Sequence, residues 1–516
     1  MRALHAFIAA RAKHFAVNTP AIGFLEDMTG SCHLYILSIN EGKDRMDPNI
    51  IVILTDDLGY GDLGCYNPKS KIPTPNLDRL ADQGVRFTDA HAPSSVCTPT
   101  RYSVLTGRYC WRTHLTKGVL AAWAAPLIED DRLTIGEMLQ SHGYATAAIG
   151  KWHLGKSWHV VDSEKDQKAE NIDWSKPLIN GPLQHGFDYH FGLAWPGWAF
   201  VENDRVVSTP SEPFDLSHIG DHLIGPNNIK GVKSADYEHE HMLPRFTEKA
   251  VEFIERQAKE HTPFFLFFTP MAPHKPVVPN KEYLGKSNAG VYGDFVVELD
   301  DRIGTIMDAL DRTGAADNTL LIFTSDNGPE TTAYDRVRED GHRSMGEWRG
   351  VKRDTWEGGH REPFIARWPG KITAGTTSDE IICLTDFMAT AASIVGHELP
   401  NEAAQDSVNI LPVLLGDNLS EPVREAVVHH SCNGELAVRQ GDWVYIDAIS
   451  GDSNDEPAWF RVELNADLNT TFGVLYNLKV DPTERFNVIG EHPEVAKELK
   501  ALLEKYKRNG RSVSPR

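Results

Sequence analysis

Four short apolar segments that each end in polar residues constrain the fold of this chain more than any other feature. They cover residues 49–55, 144–149, 264–268 and 320–324. Continuous apolar runs of this length predict strands buried on both faces, as in a parallel sheet. Amphipathic patterns at residues 133–142, 246–257 and 296–310 predict helices that alternate with them. The sequence therefore predicts an α/β fold with a parallel sheet.

Polar side chains follow each of these predicted strands. Asp56 and Asp57 follow the first, Lys151 and His153 the second, His274 the third, and Asp326 and Asn327 the fourth. In open α/β sheets, ligands bind beyond the carboxyl ends of the strands, so we expect one shared crevice there. The carboxylate and amide oxygens suit Ca²⁺ or Mg²⁺ better than zinc. The alternative for the aspartate pair is a solvated turn.

A second motif is Cys97-Thr-Pro-Thr-Arg101, which is followed by Leu-Thr-Gly-Arg at residues 105–108. Thr98 suits an N-cap and Pro99 the first position of a helix, so Cys97 is predicted just outside a helix start. The helix dipole and Arg101 favour an anion there. Two interpretations follow from local chemistry alone: a buried structural cysteine, or a thiolate nucleophile with a lowered pKa.

This motif, taken with the polar strand ends, resembles the signature of the formylglycine-dependent sulfatases. These are the type I, arylsulfatase-like branch of the alkaline phosphatase superfamily. The resemblance implies the alkaline phosphatase-like fold, in which a large mixed and mainly parallel sheet is sandwiched by helices. It implies oxidation of Cys97 to formylglycine by a separate maturation enzyme. It also implies one calcium ion per site, bound by Asp56, Asp57, Asp326 and Asn327, with residue 97 as a further ligand.

The same resemblance implies roles for five further residues. Lys151 would stabilise the hydrated aldehyde, and His153 would be the base that promotes its collapse after sulfate transfer. His274 would contact the sulfate, and Lys352 would meet the ester oxygen. Arg101 would help to offset charge on the sulfuryl oxygens, and His274 or Lys352 would protonate the leaving alcohol.

The expected function is therefore hydrolysis of sulfate esters, on a sulfated carbohydrate or a small sulfate ester. Phosphonate or phosphate ester hydrolysis is the alternative within the superfamily. A glycan-binding protein without activity is the alternative if Cys97 is never oxidised. Five tryptophans between residues 152 and 198 are candidates for stacking on sugar rings, although loop packing explains them equally well.

Length and resemblance together predict three parts, because single cores rarely exceed about 250–300 residues. Residues 1–46 form an extension without a counterpart in the family, and residues 47–420 form the catalytic sulfatase domain. Residues 421–516 form a small α+β domain with antiparallel strands and a terminal helix over 493–508. Residues 157–236 are expected to be long loops over the crevice. His360 is a departure from the family pattern.

Charge and apolar content exclude other classes of protein. A net charge of −21 argues against nucleic-acid binding, and it means that local cations must hold any anionic substrate. No apolar run approaches the roughly 18 residues of a membrane span. The first apolar run, residues 6–10, is too short for a secretory signal, so the sequence predicts a cytoplasmic protein, although family members are often exported. The six cysteines show no C-x-x-C spacing, which argues against a zinc knuckle.

Overall fold

The structure is a computed structural model that describes residues 22–26, 32–36, 47–220, 223 and 230–516. Its contacts divide the chain into two units, Met1–Asp47 and Pro48–Arg516. In the first unit, strands β1 (Ile22–Glu26) and β2 (Cys32–Ile36) pair in antiparallel fashion. The rest of the predicted extension, residues 1–46, lies outside the described residues.

A mixed sheet of ten strands forms the centre of the second unit, in the order β15-β4-β14-β13-β3-β12-β6-β7-β8-β9. The four predicted apolar strands are the neighbours β13, β3, β12 and β6, all mutually parallel. Strand β14 pairs with β13 and β4 in antiparallel fashion, and β8 pairs in the same way with β7 and β9. This confirms the predicted mainly parallel sheet. The strands are β3 (Asn49–Thr55), β4 (Val85–Phe87), β6 (Ala145–Gly150), β7 (Tyr189–Leu193), β8 (Phe200–Glu202), β9 (Arg205–Val206), β12 (Phe264–Thr269), β13 (Thr319–Ser325), β14 (Phe364–Arg367) and β15 (Thr376–Ser378).

Helices cover both faces of this sheet because its central strands are apolar on both sides. In β3, Ile51 and Ile53 belong to one core, and Ile50, Val52 and Leu54 belong to the core on the opposite face. The successive side chains of a strand point to opposite faces, which explains the continuous apolar run. The helices are α1 (Pro75–Asp82), α2 (Cys97–Thr106), α3 (Ile135–Ser141), α4 (Met242–Glu260), α5 (Gly290–Thr313), α6 (Ala333–Glu339), α7 (Phe387–Val395), α8 (Leu411–Leu414), α9 (Ala458–Leu464) and α10 (Pro493–Asn509).

The region predicted as long loops, residues 157–236, contains more regular structure than expected. Strands β7, β8 and β9 extend the central sheet, and β10 (Glu212–Asp215) pairs with β11 (Lys230–Lys233) as a hairpin. Strands of two to five residues carry too little periodicity to be recognised from sequence. The prediction of loops throughout this region was therefore wrong.

A second, antiparallel sheet lies near the C-terminus. It consists of β17 (Val427–His430), β18 (Leu436–Gln440), β19 (Trp443–Ile446) and β20 (Val474–Asn477). Helix α10 packs Leu499, Leu503 and Tyr506 against it, as its amphipathic pattern predicted. A further short pair joins β5 (Ala90–His91) to β16 (Ile382–Cys383) in parallel. No described helix has the length and apolar character needed to cross a membrane.

Candidate active site

The carboxyl ends of β3 and β13 bring the predicted oxygen ligands together. Asp56 and Asp57 follow β3, Asp326 and Asn327 follow β13, and all four are buried. The Asn327 Nδ2 group donates to Asp57 Oδ1 at 2.8 Å. Asp57 has a positive φ of 66°, a conformation that aspartate tolerates better than most residues. The two loops thus place four oxygen-bearing side chains at one point on the sheet edge.

Cys97 begins α2, and the whole helix is buried. The N-cap is Val96, without a side-chain cap, so the predicted Thr98 cap is wrong. The hydroxyl of Thr98 instead accepts a hydrogen bond from the Leu120 backbone N–H at 3.2 Å. Pro99 lies within the first turn, where a backbone N–H has no helical partner, so its position there removes no hydrogen bond. Cys97 is consequently the first helical residue and not the residue before the helix.

The imidazole of His153 faces the thiol of Cys97. Its Nδ1 lies 3.2 Å from Cys97 Sγ, and its Nε2 lies 3.0 Å from the Leu120 carbonyl oxygen. A carbonyl oxygen only accepts, so Nε2 carries the proton and Nδ1 presents a lone pair to residue 97. Burial, followed by the charges of Lys151 and Arg101, holds the pKa of His153 well below its usual value.

Three of the predicted cationic or imidazole side chains surround the aspartate pair. Lys151 Nζ donates to Asp56 Oδ2 at 2.6 Å, and Lys352 Nζ donates to Asp57 Oδ2 at 2.8 Å. His274 Nε2 lies 3.9 Å from Asp57 Oδ2. Burial lowers the pKa of His274 to about 4, whereas Asp57 raises the pKa of Lys352 despite its burial. Lys352 is therefore protonated at neutral pH and His274 is neutral.

Arg101 is fully buried, and its N–H groups donate hydrogen bonds to other groups of the protein. Its Nε and Nη2 donate to Asp326 Oδ2 at 3.0 and 2.7 Å, and its Nη1 donates to the Lys151 carbonyl oxygen at 3.0 Å. Its Nη2 is also 3.7 Å from Asp56 Oδ2. Arg101 thus connects the carboxylates that follow β3 and β13 with the lysine that follows β6.

Unsatisfied oxygens in this cluster fit a hard cation. Among the described residues, neither Asp56 Oδ1 nor Asn327 Oδ1 has a hydrogen-bond partner, although both atoms are buried. Ligand atoms of Asp56, Cys97 and Asp326 lie within 4.8 Å of one another. Burial and then the charge of Asp56 raise the pKa of Asp326. Buried oxygens left without donors are costly, and a divalent ion such as Ca²⁺ would satisfy them.

Comparison with known proteins decides the family. The Sulfatase family profile matches residues 48–397. The chain belongs to the sulfatase family. It is 36% identical over 510 residues to the N-acetylgalactosamine-6-O-sulfatase of Bacteroides thetaiotaomicron, an alignment that covers 91% of this chain and 94% of the relative. It is 35% identical over 384 residues to the Homo sapiens N-acetylgalactosamine-6-sulfatase, with 72% and 67% covered.

A solved structure agrees with this assignment. A solved structure from work on the metabolism of multiple glycosaminoglycans by Bacteroides thetaiotaomicron aligns with this chain at a TM-score of 0.75 and 34% sequence identity. The alignment covers 90% of this chain and 100% of that chain. Family membership makes the chain a sulfuric ester hydrolase, and its fold is the alkaline phosphatase-like fold of its neighbours. The predicted family, fold class and enzyme class are confirmed.

The sulfatase site also contains a pair that sequence reasoning missed. Arg353 follows Lys352 with a positive φ of 85°, and it forms a bidentate ion pair with Glu330 at 2.6 and 2.8 Å. Glu330 follows Asp326 by four residues, so both partners flank recognised motifs. A charged residue beside each motif was the available signal. The pairing joins segments 23 residues apart and could not be read from either segment alone.

A pocket opens beside Lys151 and His153. Apolar side chains form much of its wall, and Lys151, His153 and Lys156 contribute its basic groups. Lys156 has no carboxylate partner among the described residues, and burial alone lowers its pKa to about 8. Of the five tryptophans proposed as sugar platforms, Trp152 and Trp195 line this pocket. Its lining is Ala121, Ala122, Lys151, Trp152, His153, Gly155, Lys156, Leu193, Trp195 and Met271.

Proposed function

We propose that this sulfatase hydrolyses the 6-sulfate ester of N-acetylgalactosamine units in sulfated glycans. The proposed enzyme carries formylglycine at position 97 and one calcium ion at the four oxygen ligands. The convergence of the ten predicted residues on one sheet edge supports the chemistry. Their list is Asp56, Asp57, Cys97, Arg101, Lys151, His153, His274, Asp326, Asn327 and Lys352. The names of two relatives at 36% and 35% identity support the substrate.

Three carboxylates face three cationic side chains at this site, which bears on how an anion is bound. Asp56, Asp57 and Asp326 face Arg101, Lys151 and Lys352, while the histidines are neutral. Calcium, when bound, supplies the excess positive charge that attracts a sulfate ester and offsets charge on its oxygens. This local charge is needed because the whole chain carries −21.

His153 is the base in this proposal. Oxidation of Cys97 to an aldehyde that hydrates supplies the nucleophilic hydroxyl. The lone pair of His153 Nδ1 already faces residue 97, and the carbonyl of Leu120 fixes the ring in that tautomer. The lowered pKa keeps the ring unprotonated, so it can accept a proton from residue 97 when sulfate is released.

Lys352 is the proposed source of positive charge, and of a proton, at the leaving oxygen. It is protonated in the free site, because Asp57 raises its pKa, whereas burial lowers the pKa of His274 to about 4. His274 then acts as a neutral hydrogen-bonding group beside the sulfate. Arg101 is a positioning residue, since its donors already bind Asp326 and the Lys151 carbonyl.

The pocket beside His153 is the proposed sugar site. Leu193, Trp195 and Met271 give it an apolar wall that suits the face of a sugar ring. Lys156 supplies an uncompensated ammonium group, which suits a further anionic group on the substrate, such as a neighbouring carboxylate or sulfate. A sulfated glycan has both a ring face and a further anionic group, whereas a simple aryl sulfate has only the ring face.

Two measurements on the wild-type chain test this proposal. The mass of the peptide containing Cys97 should be about 18 Da below that of the thiol form, because CH₂SH is replaced by CHO. The chain should also release sulfate from 6-sulfated N-acetylgalactosamine faster than from the 4-sulfated isomer. The Cys97→Ala variant is the control and should release none. Full oxidation with preferred turnover of phosphate or phosphonate esters would contradict the proposal, and so would a thiol at position 97 in active protein.

A further inference from the structure

Three buried histidines form a cluster outside the active site. His91 lies on β5, His360 follows the Gly358–Gly359 turn, and His429 lies on β17. Their exposed fractions are 0%, 1% and 1%. One ring nitrogen of each lies within 4.8 Å of a ring nitrogen of the other two. Three elements distant in sequence thus bring three imidazoles to one point that the proposed mechanism does not use.

In each of these rings, one nitrogen lies close to a hydrogen-bond acceptor. His91 Nε2 lies 2.6 Å from Asp89 Oδ1, and His360 Nε2 lies 3.1 Å from the Thr355 carbonyl oxygen. His429 Nδ1 lies 3.3 Å from the Ala92 carbonyl oxygen. Carboxylate and carbonyl oxygens only accept, so each of these nitrogens carries a proton. The histidines of metal sites show this same outer arrangement, in which the second nitrogen is free for the ion.

The three remaining nitrogens lack suitable partners. His91 Nδ1 and His360 Nδ1 face each other at 3.1 Å, and in these tautomers both present lone pairs. His429 Nε2 is buried and, within the described part of the chain, has no hydrogen-bond partner. Facing lone pairs and an unpaired buried nitrogen are both unfavourable. Two nitrogens 3.1 Å apart match two ligands of one ion at roughly 2.0–2.1 Å, with an angle of roughly 100° between the bonds.

We propose that His91, His360 and His429 bind a transition-metal ion, with Zn²⁺ as the expected occupant, at a structural site separate from the calcium site. Imidazole nitrogen favours zinc and its neighbours over calcium and magnesium. The ion would join the segment before Cys97, the loop after Lys352 and the C-terminal sheet. The backbone already links the first two of these, since Ala92 N–H donates to the His360 carbonyl oxygen at 2.8 Å.

The surrounding charges permit a cation here. Arg439 and Arg361 are paired with Asp89 and Glu357, so these four charges cancel. Arg439 Nη1 also lies 3.0 Å from His91 Nε2, because both nitrogens donate to Asp89 Oδ1, at 2.7 and 2.6 Å. Burial lowers the pKa of each of the three imidazoles, which keeps them neutral as ligands must be. The buried Oε1 of Glu357 has no partner among the described residues and is available as a fourth ligand.

One rearrangement accompanies binding. The rings of His360 and His429 are stacked, with centroids 3.6 Å apart and planes 7° from parallel. Parallel rings cannot both direct in-plane lone pairs at one ion, so the His429 ring must tilt out of the stack. Its Nε2 gives up no hydrogen bond in doing so. A metal-bound cluster should therefore show a larger angle between these two rings.

Elemental analysis tests the site directly. Untagged protein produced with added zinc and purified without chelators should hold about one zinc per chain, as expected for a closed structural site. The His429→Gln variant should lose it. The matched control is His142→Gln, because the His142 and His397 rings also meet, at 3.0 Å, but as a pair without a third histidine. An Asp56→Ala variant should lose calcium and retain zinc, which separates the two sites.

A second measurement covers variants that fail to fold. Wild-type protein produced with Co²⁺ should show the d–d absorption bands of nitrogen-bound cobalt, and X-ray absorption should find nitrogen neighbours at about 2.0–2.1 Å. Folded wild-type protein with less than about a tenth of an equivalent of transition metal would overturn the proposal. Retention of zinc by a folded His429→Gln variant would overturn it as well. Either result would indicate that His91 and His360 share a proton instead.

Discussion

At the scale of single residues, the site depends on pairing of charges that water cannot reach. Lys151 and Lys352 each hold one member of the Asp56–Asp57 pair, and Arg101 holds Asp326. Removing one member of such a pair leaves a buried charge without compensation, which costs more than the pair itself contributes. Substitutions here should therefore be assessed for stability as well as for rate.

Lys352→Ala should reduce kcat by about 10²–10³, because the variant lacks a fixed positive group at the reacting oxygens. Its KM should change less, since the pocket wall remains. Lys371→Ala is the matched control, because Lys371 is exposed, and its kcat should equal that of the wild type. Release of sulfate is the measurement, with thermal unfolding recorded in parallel. An unchanged kcat in a folded Lys352→Ala variant would remove this lysine from the mechanism.

Asp56→Ala should reduce both bound calcium and activity, because it removes one buried oxygen ligand and the partner of Lys151. Calcium per chain is measured after dialysis, and sulfate release is measured across a calcium titration. Activity should recover only partly at high calcium. The exposed Asp379→Ala variant should bind calcium as the wild type does. Stoichiometric zinc in place of calcium at Asp56 in active wild-type protein would contradict the assignment.

Much of this site could be predicted from sequence, because strand ends and short motifs are local features. Asp56, Asp57, Asp326 and Asn327 were found in this way. The hydrogen bonds of Arg101 could not be predicted, because its guanidinium group binds Asp326, which is 225 residues away in the sequence. Which ring nitrogen of His153 carries the proton depends on the Leu120 carbonyl oxygen, and this contact also exists only in the folded chain. The proposed roles of these residues in catalysis and metal binding remain predictions.

At the scale of helices and strands, long periodic segments were predicted and short or irregular ones were not. The four apolar strands and the amphipathic α4, α5 and α10 appear where the pattern placed them. The start of α2 was misplaced, because Thr98 bonds to the Leu120 backbone instead of capping its own helix. Strands β8 and β9 are connected to the sheet through β7, so tertiary contacts determine them.

One helix contact predicts how stability depends on pH. Asp300 on α5 is buried and accepts from the backbone N–H groups of Asn76 and Leu77 at the start of α1. Burial raises its pKa from 3.8 to about 6. The folded chain then binds more protons than the unfolded chain between these values, so the free energy of unfolding falls as pH rises through this window.

The Asp300→Asn variant should lose this part of the pH dependence, because asparagine keeps an acceptor and does not titrate. Urea unfolding at constant calcium, from pH 4 to pH 7, is the measurement. Across this window, the free energy of unfolding should fall by about 3 kcal/mol more in the wild type than in the variant. Asp308→Asn on the same helix is the control, because Asp308 is exposed and should leave the slope unchanged. Equal slopes in wild type and Asp300→Asn would refute the argument.

A buried ion pair connects the loop that carries Lys352 with the C-terminal segment. Arg349 donates to both oxygens of Glu456 at 2.8 and 2.7 Å, and to the Glu484 carbonyl oxygen. Glu456→Gln should lower the free energy of unfolding by about 3–5 kcal/mol. Glu463→Gln should cost less than about 1 kcal/mol, because its ion pair with Arg343 is partly exposed. Denaturant titration measures both, and similar costs would contradict the distinction.

At the scale of the whole molecule, the C-terminal sheet shares a core with the catalytic region. Trp356, four residues after Lys352, is buried among Val444, Ile446 and Tyr476 of that sheet. Ser94 and Ser95, just before Cys97, donate to the carbonyl oxygen of His430 on β17. The proposed boundary near residue 421 therefore separates parts of the chain that pack closely against each other.

A chain that ends at residue 420 should consequently be unstable and inactive. Its Trp356 would be exposed, and the segment before Cys97 would lose the hydrogen bonds to His430. Yield of soluble protein, calcium content and sulfate release are the measurements. The full chain is the reference. A soluble truncated chain with wild-type activity would show that residues 421–516 are an independent domain, and that these contacts contribute little.

The order in which the sheet is built has a consequence for synthesis. Strand β3 lies between β12 and β13, which are made long after it, and the site is complete only when Lys352 exists. About 250 residues separate Cys97 from Lys352, so at roughly 5–20 residues per second the ribosome needs about ten to fifty seconds to supply the rest. During that interval, the segment that becomes the buried helix α2 is an accessible nascent chain. Under the proposed conversion of Cys97 to formylglycine, its thiol is open to a second protein during this interval, and faster translation between the two residues should leave more Cys97 unconverted.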